Sequence, residues 1–301
     1  MKPRLLSICL MAAMAVICSC HGGDRNSGGL PRPDHIVIVI EENHAYDQVI
    51  HSPMAPYINS LATAGALFTH SHGVVHPSQP NYIALFSGDL QGVKGDECLD
   101  VDSLTPYTTP NLGAALLAKG LTFGGYAQSL PADTFMGCYY GKSKLNGGSL
   151  YGRKHCPWVN WIGDGKNQLP VAVNHRMAAF PEDFDQLPTL SFVIPDMDHD
   201  MHNNGSDSTM IAKADDWLKT KLGEYIQWAK THNSLFILTF DEDDFTPKNR
   251  IPTLFVGPMV QPGQYGDSIN HYDVLRTLEA MYDLSPSGFA EAHPIAGVWK
   301  N

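Results

Sequence analysis

Positive charge is scarce in this sequence. Twenty Lys and Arg stand against 31 Asp and Glu over 301 residues, a net charge of −11 with a pI near 5.6. Such an acidic balance argues against nucleic acid or anionic lipid as a general partner. An anionic substrate would have to meet positive charge made locally, by a metal, by some of the 14 histidines or by backbone N–H groups. Membrane-length apolar stretches are lacking too, since the run from Leu5 to Ile17 is too short for a comfortable span. Cysteines are few and none are spaced CxxC, which counts against a zinc cluster. No G-x-S-x-G elbow surrounds Ser78, which counts against an α/β-hydrolase esterase.

Hydrophobic residues make up 43% and charged residues 17%, enough to build one large soluble domain. The first twenty residues read as a secretory signal: Lys2 and Arg4, the apolar run, then Cys18-Ser19-Cys20. Ile17 to Cys20 also looks like a lipobox, which would make Cys20 a lipidated first residue; plain cleavage and release is the alternative. Either way the protein is expected to be exported, as a periplasmic or surface lipoprotein or in secreted form, with membrane contact only through that anchor. Residues 21–33 are Gly-, Asn-, Ser- and Pro-rich and read as a tether. Of the cysteines that would remain, Cys98, Cys138 and Cys156, one pair can bridge. Sequence leaves the pairing open, with Cys98–Cys138 preferred.

Residues 34–301 are expected to form a single α/β domain. Ile36 to Ile40, Leu190 to Ile194, Leu235 to Phe240 and Thr253 to Val256 are apolar, β-rich runs of the kind buried on both faces of a parallel sheet. Helical patterns over Ala55–Ala64, Asn111–Lys119, Asp207–Lys230 and His271–Tyr282 alternate with them, which implies a doubly wound sheet covered on both faces. Residues 124–180, rich in Gly, Tyr, Trp and Pro, read as an insertion or cap.

Ligands of open α/β sheets bind beyond the carboxyl ends of the strands. Three runs end in chemistry: Glu41-Glu42-Asn43-His44, then Asp196 to His202, then Asp241 to Asp244. So many carboxylates at one edge repel unless a cation sits among them. Oxygen donors suit a hard divalent ion, and added histidines admit zinc or iron. The remaining motif is His76-Pro77-Ser78-Gln79-Pro80-Asn81-Tyr82, ahead of an apolar helix. Ser78 would sit at that helix N-terminus, where free N–H groups favour an anion. It is either a helix cap or a nucleophile activated by a nearby metal.

Ser78-Gln79-Pro80-Asn81, followed by an apolar run and Ser87-Gly88, resembles the nucleophile turn of the alkaline phosphatase superfamily. With Glu41-Glu42-Asn43, Asp200-Met201-His202, Phe240-Asp241-Glu242-Asp243 and Asn270 to Thr277 in order, the chain resembles the exported acid phosphatases of the acid phosphatase–phospholipase C branch. The similarity runs from about His35 to Leu284. It implies a three-layer α/β/α sandwich with a mostly parallel sheet. It implies one or two divalent metals held by Glu42, Asn43, Ser78, Asp241 and Glu242. Ser78 is then the nucleophile and Asn81 an amide donor to phosphate; Asp200, His202 and His271 match positions that hold a second metal or contact phosphate. Asp196 stands where Asn is expected, so Asp200 is the firmer choice there. His76, His199 and His202 are the candidate proton donors, with His199 also near phosphate. Arg153-Lys154-His155 is either a headgroup contact or a solvated turn. The substrate expected is a small phosphate ester, a phosphoinositide or a nucleotide, hydrolysed through a phosphoserine. A phosphodiesterase or phospholipase C activity is the enzymatic alternative; a metal- or phosphate-binding surface lipoprotein is the other. The Cys/Ser-x-Pro-x-Arg context of sulfatases is missing.

Overall fold

β-Branched residues crowd their own side chains and favour extended backbone, and β1 (His35–Glu41) is the clearest case here. Its side chains alternate between two cores: Ile36, Ile38 and Ile40 enter one, Val37 and Val39 the other. The computed structural model describes residues 29–99, 106–203 and 207–300. The expected signal, the lipid anchor at Cys20 and most of the tether therefore lie outside the described residues.

Helices α1 (Tyr46–Val49) and α2 (Pro56–Ala64) follow β1, then β2 (Ala66–His72), α3 (Ser78–Ser87), α4 (Leu112–Ala118) and β3 (Phe123–Ala127). A small hairpin comes next, β4 (Tyr139–Tyr140) with β5 (Tyr151–Gly152). The chain then runs through β6 (Asn174–Arg176), β7 (Leu190–Ile194), α5 (Asp207–Ala229), β8 (Ser234–Phe240), β9 (Arg250–Val256), β10 (Gly263–Asn270) and α6 (His271–Met281). The main sheet has eight strands in the order β10-β2-β9-β8-β1-β7-β3-β6. Only β9 runs antiparallel to its neighbours; the remaining pairs are parallel. One apolar cluster joins α3, α4 and α6 to one face, the other joins α2 and α5 to the opposite face. This is the three-layer sandwich expected.

The 124–180 stretch differs from its reading as an insertion throughout. Residues 124–127 and 174–176 are strands of the main sheet, and only the chain between them lies outside it. Gly124-Gly125 masked β3, because glycine weakens a strand pattern. Gly125 is there for packing: a Cβ would lie 2.1 Å from Trp158 Cε2, and Trp158 is fully buried. Gly125→Ala is expected to cost about 1–3 kcal/mol through this overpacking, read as a lower unfolding midpoint by circular dichroism. Cys98 and Cys138 form a disulfide with Cα atoms 5.7 Å apart, and Cys156 is free and buried.

Candidate active site

β1, β7 and β8 are parallel neighbours, so their carboxyl ends deliver Glu42, Asp200, Asp241 and Glu242 to one edge. All four side chains are buried. The chain leaving β2 turns through Val74–Pro77 and places Ser78 as the first residue of α3. Ser78 Oγ lies 3.0 Å from Glu42 Oε2 and 3.0 Å from Glu242 Oε1. One hydroxyl proton is thus shared between two carboxylates from different strands.

Glu42 is the hub. Its Oε1 accepts from Tyr82 Oη at 2.6 Å and lies 3.0 Å from His155 Nε2, off the line of a hydrogen bond. Its Oε2 also accepts from Asn43 Nδ2 at 2.9 Å. Burial pushes this carboxyl up, but His155 first, then Lys154 and His202, hold it well below the usual range. Its neighbours go the other way. Burial, then Glu42 and Glu242, pushes Asp241 far up. Burial raises Glu242 to about 7, with Glu42 adding to it and His76 and Ser78 opposing. Asp200 rises by burial despite His155.

Such a cluster suits a cation. Asp241 Oδ2 and Asn43 Oδ1 are buried atoms with no hydrogen-bond partner, beside carboxyls that burial and neighbouring negative charge push up despite His76 and His155. Glu42, Asn43, Ser78, Asp241 and Glu242 are joined by direct contacts, including Asn43 N–H to Asp241 Oδ1 at 3.2 Å. A second donor group shares Glu42: ligand atoms of Glu42, His155 and His202 lie within 4.8 Å of one another. Its imidazoles admit softer ions as well as hard ones.

The expected phosphate contacts fare differently. Asn81 spends its whole amide on its own turn: Oδ1 accepts from Val74 and Val75 N–H, while Nδ2 donates to the Val75 and Pro77 carbonyls. With no proton left for a phosphate oxygen, it braces the turn ahead of Ser78 instead. His271 is buried and pushed down to about 4 by that burial. It donates from Nε2 to the Asp241 carbonyl at 2.6 Å, so it positions Asp241 as a neutral ring and brings no positive charge. Asp200 Oδ2 lies 3.4 Å from His155 Nδ1, and Oδ1 accepts from His202 N–H, so it supports the histidines. His199 is bound to Asp196 at 2.6 Å and makes no contact with Glu42 or Ser78 among the described residues. His76 has both nitrogens engaged, Nδ1 with Glu242 and Nε2 with the Thr246 carbonyl, so it orients Glu242.

Sequence reasoning underrated the 153–155 turn. Arg153 is structural, bound to Met136 O and Asn160 Oδ1. Lys154 and His155 are buried within the site. Lys154 Nζ reaches Asp96 Oδ2 at 2.6 Å and His202 Nε2 at 3.2 Å, and Asp96 Oδ1 caps α3 at Gln79 N–H. The overlooked signal is Cys156-Pro157-Trp158 directly after the basic triplet: an apolar, rigid continuation belongs to buried chain, not to a solvated turn.

Residues 51–285 match the Phosphoesterase family. A phosphatidylinositol-3-phosphatase of Mycobacterium tuberculosis is 41% identical over 98% of this chain and 94% of its own length. A phosphate-repressible acid phosphatase of Penicillium chrysogenum is 29% identical over 77% of this chain, which spans 55% of that protein. Among solved structures, a Vibrio parahaemolyticus protein in the alkaline phosphatase superfamily superposes with a TM-score of 0.55 at 16% identity, covering 84% of this chain and 67% of that one. With a serine between carboxylates at the strand ends of this sheet, and relatives of this kind along nearly its whole length, the chain belongs to the phosphoesterase family and is a phosphoric ester hydrolase.

Proposed function

We propose that this protein is a metal-dependent phosphomonoesterase that works through a phosphoserine at Ser78. The observation that carries the proposal is the Ser78 hydroxyl, 3.0 Å from both Glu42 and Glu242 at the head of a buried helix. Glu42, Asn43, Ser78, Asp241 and Glu242 would hold a divalent cation. When bound, the cation neutralises the carboxylates, favours the ionised form of Ser78 and withdraws charge from the phosphoryl oxygens.

Ser78 Oγ attacks phosphorus as the bond to the ester oxygen breaks, and the hydroxyl proton passes to Glu242. The departing alkoxide accepts a hydrogen bond from His202 Nδ1 and takes its proton from an incoming water. Lys154 can only donate, so His202 Nε2 must accept and the proton sits on Nδ1, which has no other partner. The hydroxide so formed attacks the phosphoserine, Glu242 returns the first proton to Ser78, and inorganic phosphate leaves. Lys154 supplies the fixed positive charge for substrate phosphate. Burial opposes its charge, yet Glu42 and then Asp96 hold its ammonium above the usual range.

Lys154→Met is expected to raise KM for a phosphate monoester at least about tenfold with a smaller change in kcat, since a charge-assisted hydrogen bond is worth about 1.5–3 kcal/mol. Steady-state kinetics on p-nitrophenyl phosphate would show it. A fall in kcat with KM unchanged would instead make Lys154 a support for the carboxylate cluster. The name of the mycobacterial relative suggests a phosphoinositide as substrate, and that of the Penicillium relative suggests an acid phosphatase activity. Export belongs to the same reading, supported by the Cys98–Cys138 bridge, because disulfides persist in oxidising compartments.

A further inference from the structure

We propose that the β4–β5 hairpin is a docking surface for anionic membrane lipid. From Thr134 to Gly163 the chain has no Asp or Glu but carries Lys142, Lys144, Arg153 and Lys154. In a protein of net charge −11 this is a local reversal of sign. Arg153 and Lys154 are buried, whereas Lys142 and Lys144 are exposed in the loop that joins the two strands. Around them stand three large side chains left in water: Tyr139 at 48%, Tyr140 at 50% and Leu145 at 44% exposure. Tyr, Lys and a short aliphatic side chain are the set that settles at a bilayer interface, with rings at headgroup depth and ammonium groups among the phosphates.

Two features favour a lipid surface over a protein face. Successive residues of a strand project to opposite sides, so Tyr139 and Tyr140 clothe both faces of the projection, as a wedge entering a soft interface requires. The hairpin is also braced before any partner arrives. The Tyr140 ring packs edge-on to Phe135, and Phe135 to buried Tyr151. The bridge to Cys98 fixes its foot, Ser143 Oγ donates to Asp198 at 2.6 Å, and Asn203 Nδ2 donates to the Ser149 carbonyl. Asp96 and Glu97 lie beside that foot, and Asp96 is already held by Lys154. β5 leads directly into Lys154 and His155, so a surface met by the hairpin tip lies on the approach to the site.

The test is sedimentation of the full chain with vesicles, using Cys20→Ser throughout so that no lipid can be attached there. Phosphatidylcholine mixed with phosphatidylserine is compared with phosphatidylcholine alone; neither carries a phosphomonoester, so the result is independent of the catalytic proposal. Binding is expected with the anionic mixture only. Lys142→Gln/Lys144→Gln should weaken it about thirtyfold at low salt. Tyr139→Ser/Tyr140→Ser/Leu145→Ser should weaken it at least about tenfold. Both variants should hydrolyse a soluble monoester at the parent rate, which certifies their folding. Equal sedimentation with the two vesicle types, or variants that sediment like the parent while retaining that activity, would overturn the proposal.

Discussion

Ser78→Ala should lower kcat by about 10⁴-fold or more, the scale on which a covalent nucleophile is missed when its surroundings stay intact. The surroundings should stay intact here. Tyr82 and Asn43 continue to satisfy Glu42, His76 continues to orient Glu242, and Asn81 and Asp96 still hold the turn and the helix start. None of these contacts uses the Ser78 hydroxyl. Circular dichroism and the unfolding midpoint should therefore move little. In the parent, rapid acid quenching of a turnover mixture should leave a phosphoryl group on the peptide containing Ser78, detectable by mass spectrometry. Hydrolysis of p-nitrophenyl phosphate by the variant at a near-parent rate would mean that water or another side chain attacks directly, and the phosphoserine mechanism would be lost with it.

The parts of this architecture legible in the sequence are those where burial alone writes the pattern. β1, β7 and β8 are apolar on both faces because helices cover both sides of the central sheet, and their acidic ends follow from the polarity of a parallel sheet. β10 was not legible: Gly263–Asn270 is mostly exposed, and at the sheet edge it has little apolar pattern to show. β2 was not read from the sequence either, for a related reason: Thr69 and His72 are only partly covered and His70 is exposed. In the site, residues within one strand-end motif were legible, whereas His155 was not. Its partners, Glu42 and Asp200, come from two other strand ends, and no local spacing encodes that meeting. Asn81 shows the converse. Its place three residues after Ser78 is plain in the sequence, but whether its amide faces substrate or the turn depends on which backbone groups the turn leaves unpaired, and it satisfies four of them.

Removing the proposed cation should abolish turnover and also make stability fall as pH rises above about 6.5. With no cation, Glu242 carries a pKa raised to about 7 by burial, and Asp241 is raised further by burial and by Glu42 and Glu242. His155, which burial alone would push down, is raised to about 9 chiefly by Glu42. Each raised group binds protons more tightly folded than unfolded, so its contribution is present at low pH and is lost as pH climbs through the folded value. His271, lowered to about 4 by burial, acts in the opposite sense, but its contribution is complete once pH passes the ordinary histidine value near 6.5. Between about 6.5 and 9 the raised groups therefore act alone in this cluster, and their sign is the same. A bound cation takes over the role of those protons: ligands deprotonate on binding, and the metal-loaded protein should lose much less stability across the same range. Thermal unfolding of chelated and metal-reloaded protein at pH 6.5 and pH 9 separates the cases, with the loaded-minus-chelated difference in midpoint expected to widen by several degrees toward pH 9. Full activity after exhaustive chelation, or a difference that shrinks toward pH 9, would mean that Lys154 and His155 alone neutralise the carboxylates and that no catalytic cation is needed between Glu42 and Asp241.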